Sequence, residues 1–347
     1  MKRIILNTAF ITIIIYTAFS CNKDSVISTE EDQPGRRDYV WTVDTINSYD
    51  PIYRFWASSP TDAWAVTTGG NLSESIFHFD GNHWSTDGVF RLLSPHSIWG
   101  SSNNNAYIGG SAGKIWHFDG NSWSEVATLT KDGHDDIVFD NIWGGSYNDF
   151  YIMGAYHNDN GAPNNSVITH FNDNIWTSFD TDNIIGIVER LYKNKTDGKI
   201  YLRTNRIGGG EYFDSTLIYK YDQGKYSEIY SSVWTRGLQA DISFINNEVY
   251  FVLGSKISKR INGQFKTILE VNNPNFNQKI WGRSSKDIFL LMIDGLVHYN
   301  GSDMKYLFHF NKSSTEIFGA ALFENDAFFL VSEAETNLSL IYHGKLE

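Results

Sequence analysis

The stretch "KIWHFDGNSW", Lys114 to Trp123, decides the fold because it returns in altered form elsewhere in the chain. "SIFHFDGNHW" ends at Trp84, and "VITHFNDNIW" ends at Trp176. The Asp-Gly pairs are turn signals, since Gly tolerates the positive φ that a tight turn needs. The flanking residues are rich in Ile, Val, Phe and Trp, which is typical of strands. Each copy therefore predicts a β-hairpin.

A second motif, a strand led by "IWG" and followed by a polar turn and another strand, precedes the hairpin. Residues 96–128 show both parts, "HSIWGSSNNNAYIGG" and then "SAGKIWHFDGNSWSEVAT". Trp56, Trp99 and Trp143 are spaced 43 and 44 residues apart, which fits four short strands per unit. The motif occurs seven times, in copies that begin near Phe55, Ile98, Ile142, Leu191, Ile242, Ile280 and Ile317.

The two ends of the chain predict how the repeats are closed. The seventh unit ends in "SLIYHGKLE", which supplies a third strand and no fourth, while "DYVWTVDTI", Asp38 to Ile46, is an aromatic-led strand without a unit of its own. Lending an N-terminal strand to the last sheet removes the exposed edges of a ring. The sequence thus predicts an all-β fold, a seven-bladed β-propeller over residues 38–347. Trp41 takes the place that Trp84 and Trp123 hold in their blades.

The repeat resembles a bacterial lipoprotein propeller repeat, written roughly as Trp-Gly-Ser-Ser-Pro-Asn-Asp-Val-Trp-Ala-Val-Gly followed by His-Tyr-Asp-Gly-x-x-Trp. "WASSPTDAWAV" at Trp56 and "WGSSNNN" at Trp99 are the segments most like it. The resemblance covers about Tyr53 to Glu347. It implies a secreted or surface propeller and implies no particular activity.

The N-terminus is typical of a signal peptide. Two basic residues are followed by an apolar run, Ile4–Tyr16, which is short for a membrane span. Small residues then precede Cys21, the only cysteine of the chain. The string "AFSC" resembles a lipobox, with Ala18 where leucine is usual. We expect a lipoprotein signal peptide over residues 1–20 and lipid attachment at Cys21; an ordinary signal peptide is the alternative.

The segment after the cysteine predicts a location. Residues 21–37 are polar and without periodicity, as in a flexible tether. "NKD" looks like the signal that sends some Gram-negative lipoproteins to the outer face of the outer membrane. We expect an outer-membrane lipoprotein at the cell surface, with a periplasm-facing protein as the alternative. The formal charge of -12 and the lack of a basic stripe argue against a nucleic-acid partner.

Histidines recur at one position of the repeat, on the third strand of a blade. These are His78, His117, His170, His298 and His343. A ring spreads them apart, whereas a metal needs ligands that converge on one point, so we expect hydrogen-bonded histidines and no metal site. No cofactor is predicted. Calcium held by the clustered carboxylates of "KDGHDDIVFD", Lys131 to Asp140, is the alternative.

Sequence motifs of catalysis are missing. The chain has no Gly-x-Ser-x-Gly elbow, and Cys21 is reserved for lipid, so no catalytic residue is assigned. The enzymatic alternative is a polysaccharide hydrolase or lyase that uses loop carboxylates. Its candidate acids are Asp132, Asp135, Asp136 and Glu211.

Binding is predicted on one face of the propeller. In a propeller, the loops between the second and third strands lie on the same face as the blade-to-blade connections. The segments of this face differ in length, and the variable ones are 127–140, 154–166, 203–216 and 228–241. We call this the variable-loop face; variable loops on a rigid frame are where binding usually resides. Its candidate ligand-binding residues are Trp234, Arg236, Tyr212, Phe213, Tyr156, His157, His134 and Asp132.

These residues favour one function over its alternatives. Aromatic and hydrogen-bonding side chains suit stacking on sugar rings or contact with a protein. We therefore expect a non-enzymatic module that binds a glycan or an envelope protein. Besides the enzyme, the alternative is a structural subunit of an outer-membrane assembly that uses the blade rims.

Overall fold

The computed structural model describes residues 34–69, 72–157, 165–206, 215–233, 235 and 237–347. This part of the chain forms strands arranged as seven four-stranded antiparallel sheets. No helix in the described residues is long and apolar enough to cross a membrane. Cys21 and the predicted signal peptide lie outside the described residues.

The strands follow one another in chain order. The first half contains β1 (Tyr39–Ile46), β2 (Arg54–Ser59), β3 (Asp62–Val66), β4 (Ile76–Phe79), β5 (Trp84–Ser85), β6 (Pro95–Ser102), β7 (Asn105–Gly110), β8 (Lys114–Phe118), β9 (Trp123–Thr128), β10 (Val138–Ser146), β11 (Asp149–Ala155), β12 (Ser166–Asn172), β13 (Ile175–Ser178) and β14 (Ile187–Lys193). The second half contains β15 (Ile200–Arg206), β16 (Ser215–Asp222), β17 (Lys225–Val233), β18 (Ala240–Ile245), β19 (Glu248–Leu253), β20 (Lys256–Ile261), β21 (Gln264–Glu270), β22 (Phe276–Ser284), β23 (Asp287–Met292), β24 (Gly295–Tyr299), β25 (Met304–His309), β26 (Thr315–Leu322), β27 (Asp326–Glu333) and β28 (Leu338–Leu346).

The sheets confirm the predicted seven-bladed propeller and its closure. Blades one to six are β2–β5, β6–β9, β10–β13, β14–β17, β18–β21 and β22–β25, and blade seven is β26, β27, β28 and β1 in that spatial order. Across the β1–β28 pair, Trp41 lies opposite Gly344 and Asp44 opposite Ile341. Trp123 lies opposite Phe118 at the same place in blade two. Trp41 therefore occupies the position predicted for it.

The core consists of seven hydrophobic clusters, each between two neighbouring blades. Side chains of a strand alternate between its two faces, so adjacent residues reach different clusters. Tyr250 packs between blades five and six, whereas Phe251 packs between blades four and five. Phe328 and Phe329 divide in the same way around blade seven. Such aromatics bury roughly 150–250 Å² each, so no blade is stable without its neighbours.

The Asp-Gly turns form as the sequence predicts. Gly81 and Gly120 have φ angles of 95° and 92°. The Asp80 carboxylate accepts hydrogen bonds from the backbone N–H groups of Asn82 and His83 at 2.9 and 3.0 Å, and these bonds lower the pKa of Asp80. Asp119 is held in the same way. The aspartate of each of these repeats thus accepts the hydrogen bonds that close its own hairpin turn.

Four of the five repeated histidines are hydrogen-bonded to an aspartate, which confirms the prediction for them but not for His117. In four blades the histidine Nε2–H donates to an aspartate at the start of the second strand, over 2.6 to 2.7 Å. The pairs are His78–Asp62, His170–Asp149, His298–Asp287 and His343–Asp326. Blade two has Asn105 at the aspartate position, and both Asn105 Oδ1 and His117 Nε2 are buried without a partner. Blade five replaces the pair by Glu248 and Lys259.

The last residues of the predicted tether contact blade six. The Gly35 N–H donates to the Lys286 carbonyl at 3.0 Å, and Arg37 Nε donates to His298 Nδ1 at 3.2 Å. Arg37 also forms an ion pair with Asp303. Contacts with the propeller therefore begin a few residues before β1.

Candidate functional site

The first strands of the blades surround a central channel with a volume of about 750 Å³. Ligand sites in proteins usually measure about 300–1,000 Å³, so this channel has the size of a binding site. Each inner strand enters from the blade-to-blade connections, which lie on the variable-loop face. The inner strands therefore run in one direction, and residues at equivalent positions form layers across the channel.

An aromatic layer lines the channel. Each inner strand contributes one half-buried ring, namely Trp56, Trp99, Trp143, Tyr192, Phe244, Trp281 and Phe318. Trp143 contacts both Tyr192 and Phe244, with ring centroids 5.6 and 5.1 Å apart. Gly100 lets the Trp56 ring approach, because a Cβ there would lie 2.6 Å from that ring. The layer offers apolar, partly accessible surface inside the propeller.

A charged layer lies beside the aromatic one, nearer to the variable-loop face. Its members precede the aromatic residue of their strand by two or three positions, and they are Arg54, Asp140, Asn141, Glu189, Arg190 and Lys279. Two further charged residues, Arg203 and Asp241, support them from behind. Four basic and three acidic side chains thus lie around the end of the channel that is nearer to the variable-loop face.

Hydrogen bonds hold the arginines of this layer in place. Arg54 of blade one donates from Nε to the Asp140 carbonyl of blade three at 3.1 Å. Arg190 lies 3.2 Å from the Asp241 carboxylate. Arg203 forms ion pairs with Asp241, at 3.8 Å, and with Glu189. Arg54 therefore joins blade one to blade three, and Arg190 and Arg203 join blade four to blade five.

Unlike Arg190 and Arg203, Lys279 has no carboxylate partner among the described residues. Its Nζ donates to the carbonyls of Ile317 and Phe318, at 3.0 and 2.9 Å, and lies 5.1 Å from the centre of the Trp281 ring. Carbonyl oxygens and a ring face are weaker partners for a cation than a carboxylate is.

The surroundings of Lys279 lower its pKa to about 7. The main cause is burial: the side chain faces the channel, but the walls of the propeller exclude most bulk water from it. The positive charge of Arg190 lowers the pKa further, Asp241 opposes this, and Arg54 and Arg203 add to the lowering. A lysine that is only partly protonated at neutral pH is sensitive to any charge placed beside it.

Four of the eight predicted binding residues belong to the described part of the variable-loop face. The Tyr156 ring stacks on His134, with centroids 4.0 Å apart, and the His157 N–H donates to the Asp136 carboxylate at 3.1 Å. Asp132 is exposed in the same loop, with a φ angle of 53°. The structure thus brings Tyr156, His157 and His134 together, although the Tyr156 ring is already covered on one face.

The remaining predicted residues cannot be placed. Trp234, Arg236, Tyr212 and Phe213 lie outside the described residues, as does Glu211 of the enzymatic alternative. In the described ranges no group of three or more His, Cys, Asp or Glu side chains is placed to hold a metal ion.

Sequence reasoning missed the charged layer. A signal was present: the residue two places before an inner-strand aromatic is charged in Arg54, Arg190 and Lys279, within strands that are otherwise largely apolar. Aligning the repeats on Trp56, Tyr192 and Trp281 would have shown these charges at one level of the ring.

These features define a class, a seven-bladed β-propeller with a charged, aromatic-lined central channel. Its fold is similar to that of YCF48 bound to D1 peptide, at 13% identity, with 89% of this chain and 99% of that chain covered and a TM-score of 0.60. The WD40 propeller domain of Doa1 is similar at 10% identity, with 89% and 97% covered and a TM-score of 0.58.

A third similar structure is PorZ, described as an essential bacterial surface component of the type-IX secretion system of Porphyromonas gingivalis. The identity is 13%, the TM-score is 0.55, and the match covers 85% of this chain and 46% of that chain. The sequence matches no protein-family model, and no curated protein matches it. At these identities the likeness shows the fold alone.

Proposed function

We propose that this protein is a lipid-anchored β-propeller of the cell envelope that binds a peptide segment of a protein partner without catalysing a reaction. The observation that carries the proposal is the central channel of about 750 Å³, with its aromatic layer and its charged layer. An extended peptide presents apolar side chains and polar groups in alternation, and two adjacent layers of these kinds suit it.

A peptide fits the described residues better than a glycan does. Sugar binding uses open aromatic faces, and Tyr156, the described aromatic candidate of the variable-loop face, has one of its two faces covered by His134. The similar propeller YCF48 is bound to a peptide. The channel is therefore the proposed site, and the variable-loop face is its entrance.

A plugged channel tests this function. At Gly319, which lines the channel, an added Cβ meets nothing nearer than Phe55 Cβ at 3.9 Å, so Gly319→Trp fills the channel with little disturbance of the core. Gly145 is exposed on β10 and has no atom within 4 Å of such a Cβ, so Gly145→Trp is the matched control.

The probe is a phage-displayed library of random linear peptides, with a glycan array as the contrast. We expect the full chain and Gly145→Trp to enrich a common peptide pattern that Gly319→Trp no longer retains. Glycan retention without peptide enrichment, or equal peptide retention by both variants, would contradict the proposal.

The anchor and the location are tested separately. Lipid on Cys21 is expected to change the mass of the N-terminal peptide and to place the protein in the outer-membrane fraction, whereas Cys21→Ser should carry no lipid and be absent from that fraction. Protease added to intact cells then distinguishes a surface protein, which is cleaved, from a periplasm-facing one. An uncleaved N-terminus with an unmodified thiol would contradict the anchor.

One observation favours a second candidate function, a structural subunit of an outer-membrane assembly: the similarity to PorZ, a surface component of a secretion system. Such a subunit remains in a large complex when the channel is plugged. Size separation of crosslinked envelopes from cells that carry Gly319→Trp tests this. Loss of the complex in this variant favours binding through the channel, whereas an intact complex favours assembly through the blade rims.

A further inference from the structure

Two cations from different blades meet at the charged layer without a carboxylate of their own. Lys279 lies on blade six and Arg54 on blade one, on either side of the blade-seven strand that carries Phe318. Two of the three Nζ–H groups of Lys279 are used by the Ile317 and Phe318 carbonyls, which leaves one donor for the channel. Among the described residues, Arg54 likewise forms no ion pair and bonds only to the Asp140 and Tyr53 carbonyls.

The carboxylates nearby already have partners. Asp241 is held by Arg190 and Arg203. Glu189 accepts hydrogen bonds from Arg203 and from Asn205. Asp140 lies 3.6 Å from His96. None of these acids is left to neutralise Lys279, so the basic side chains exceed the acidic ones by one.

We propose that Lys279 and Arg54 bind a carboxylate group of the peptide that enters the central channel. The proposal rests on the proposed function and adds the chemistry that the channel recognises. The excess of one cation suits a singly charged group better than a doubly charged phosphate. The aromatic layer directly beneath, with Trp281 and Trp56 in the same two strands, accepts an apolar side chain of the same peptide.

The site should bind more weakly as the pH rises. A carboxylate beside Lys279 favours the charged ammonium, so binding is accompanied by proton uptake wherever the free lysine is neutral. Since the pKa of Lys279 in the unliganded protein is about 7, affinity is nearly constant between about pH 5 and pH 7, where the peptide carboxylate is still ionised, and falls above pH 7. The charged and titratable groups that surround this lysine are Arg54, His96, Asp140, Glu189, Arg190, Arg203 and Asp241.

The test uses the full chain and one hexapeptide library in three matched forms. The first form contains Asp and Glu and has an amidated C-terminus. The second has Asn and Gln at those positions, and the third differs from the second only in a free C-terminal carboxylate. Affinity selection with mass spectrometry ranks the peptides, and calorimetry at about pH 6 and about pH 9, on either side of the Lys279 pKa, follows the best binder.

We expect the carboxylate-bearing forms to bind at least ~10-fold more tightly than the amides, the effect of one charge-assisted hydrogen bond. Lys279→Met should weaken this preference several-fold, because Arg54 remains, and should remove the pH dependence while leaving the weak binding of the amides. Lys279→Arg should keep the preference but lose the pH dependence, because arginine stays charged. Lys266→Met, at an exposed lysine of β21, should behave like the unaltered protein.

The outcomes separate the two proposals. Equal binding of acids and amides by the unaltered protein, or a preference that Lys279→Met leaves undiminished, overturns the carboxylate site and leaves peptide binding intact. No binding of any form overturns the proposed function and this inference with it. Binding of oligogalacturonate that depends on Lys279, without binding of peptides, overturns the peptide as the source of the carboxylate.

Discussion

The indole ring of Trp41 fills the space above Gly344, the residue opposite it across the β1–β28 pair. A Cβ atom at Gly344 would lie 2.8 Å from two atoms of that ring. The same ring packs edge-on against Phe308 of blade six, with centroids 4.9 Å apart. The pairing of the two chain ends therefore depends on a missing side chain as well as on hydrogen bonds.

Gly344→Ala should destabilise the protein by about 1–3 kcal/mol, because the added methyl group displaces Trp41 from its contact with blade six. The free energy of unfolding in urea measures the effect. Gly145→Ala, where a Cβ has no atom within 4 Å, is the control and should change stability by less than about 0.5 kcal/mol. An equal response of both variants would show that the close contact is unimportant.

Asn105→Asp should stabilise the protein by about 1 kcal/mol at neutral pH. The substitution gives blade two the aspartate that four other blades have, and it replaces the unpartnered amide oxygen of Asn105 with a charged acceptor that bonds more strongly to His117 Nε2. Thermal unfolding measures the gain. A melting temperature at or below that of the unaltered protein would contradict the equivalence of the blades.

Asp149→Asn makes the opposite change in blade three. It weakens the 2.7 Å hydrogen bond from His170 and should cost about 1–3 kcal/mol in the free energy of unfolding. Asp173→Asn, at an exposed turn residue of the same blade, removes the same charge and should have a smaller effect. Comparable losses in the two variants would mean that charge, and not the histidine contact, is responsible.

Lys279→Met should stabilise the protein most at low pH. The pKa of Lys279 is about 7 in the folded protein against 10.5 for a free side chain, so between these values the unfolded chain binds more protons and stability rises with pH. Below pH 7 the folded protein carries the full cost of a buried ammonium, on the order of a few kcal/mol. Methionine removes that cost.

Urea unfolding of both proteins between about pH 6 and about pH 10, the window set by the two pKa values, checks this prediction. The advantage of Lys279→Met is expected to shrink steadily above pH 7. Lys266→Met on the exposed face of β21 should show no such trend. A pH-independent difference would mean that Lys279 remains charged throughout.

The architecture was predictable because its signals are local and repeated. The hairpin around Gly120 and the strand led by Trp99 follow from turn chemistry and strand composition within one unit, and seven copies leave little choice of fold. Trp41 could be placed because blade seven lacked one strand. The repeated histidines could be predicted to form hydrogen bonds because they stand at the same position in different blades. Side chains placed in this way around a ring cannot converge on one metal ion.

The charged layer could not be predicted in the same way, because its contacts join residues far apart in sequence. Arg54 binds the Asp140 carbonyl 86 residues later, and Lys279 binds the Phe318 carbonyl 39 residues later. Neither contact follows from periodicity within a repeat. Likewise, the sequence showed Tyr156 and His134 as separate candidates, and only the folded loops reveal that they stack on each other.

The joining of the chain ends in blade seven also governs how the protein is made. Arg36 binds the carbonyl of Glu347, 311 residues later, so the first strand must wait for the last one to leave the ribosome. Until then the incomplete ring has unpaired strand edges, which can form hydrogen bonds with the strands of another chain. The β1 strand therefore stays unpaired longest during synthesis, and a chain that ends before β28 would leave β1 and one edge of β27 without a pairing strand.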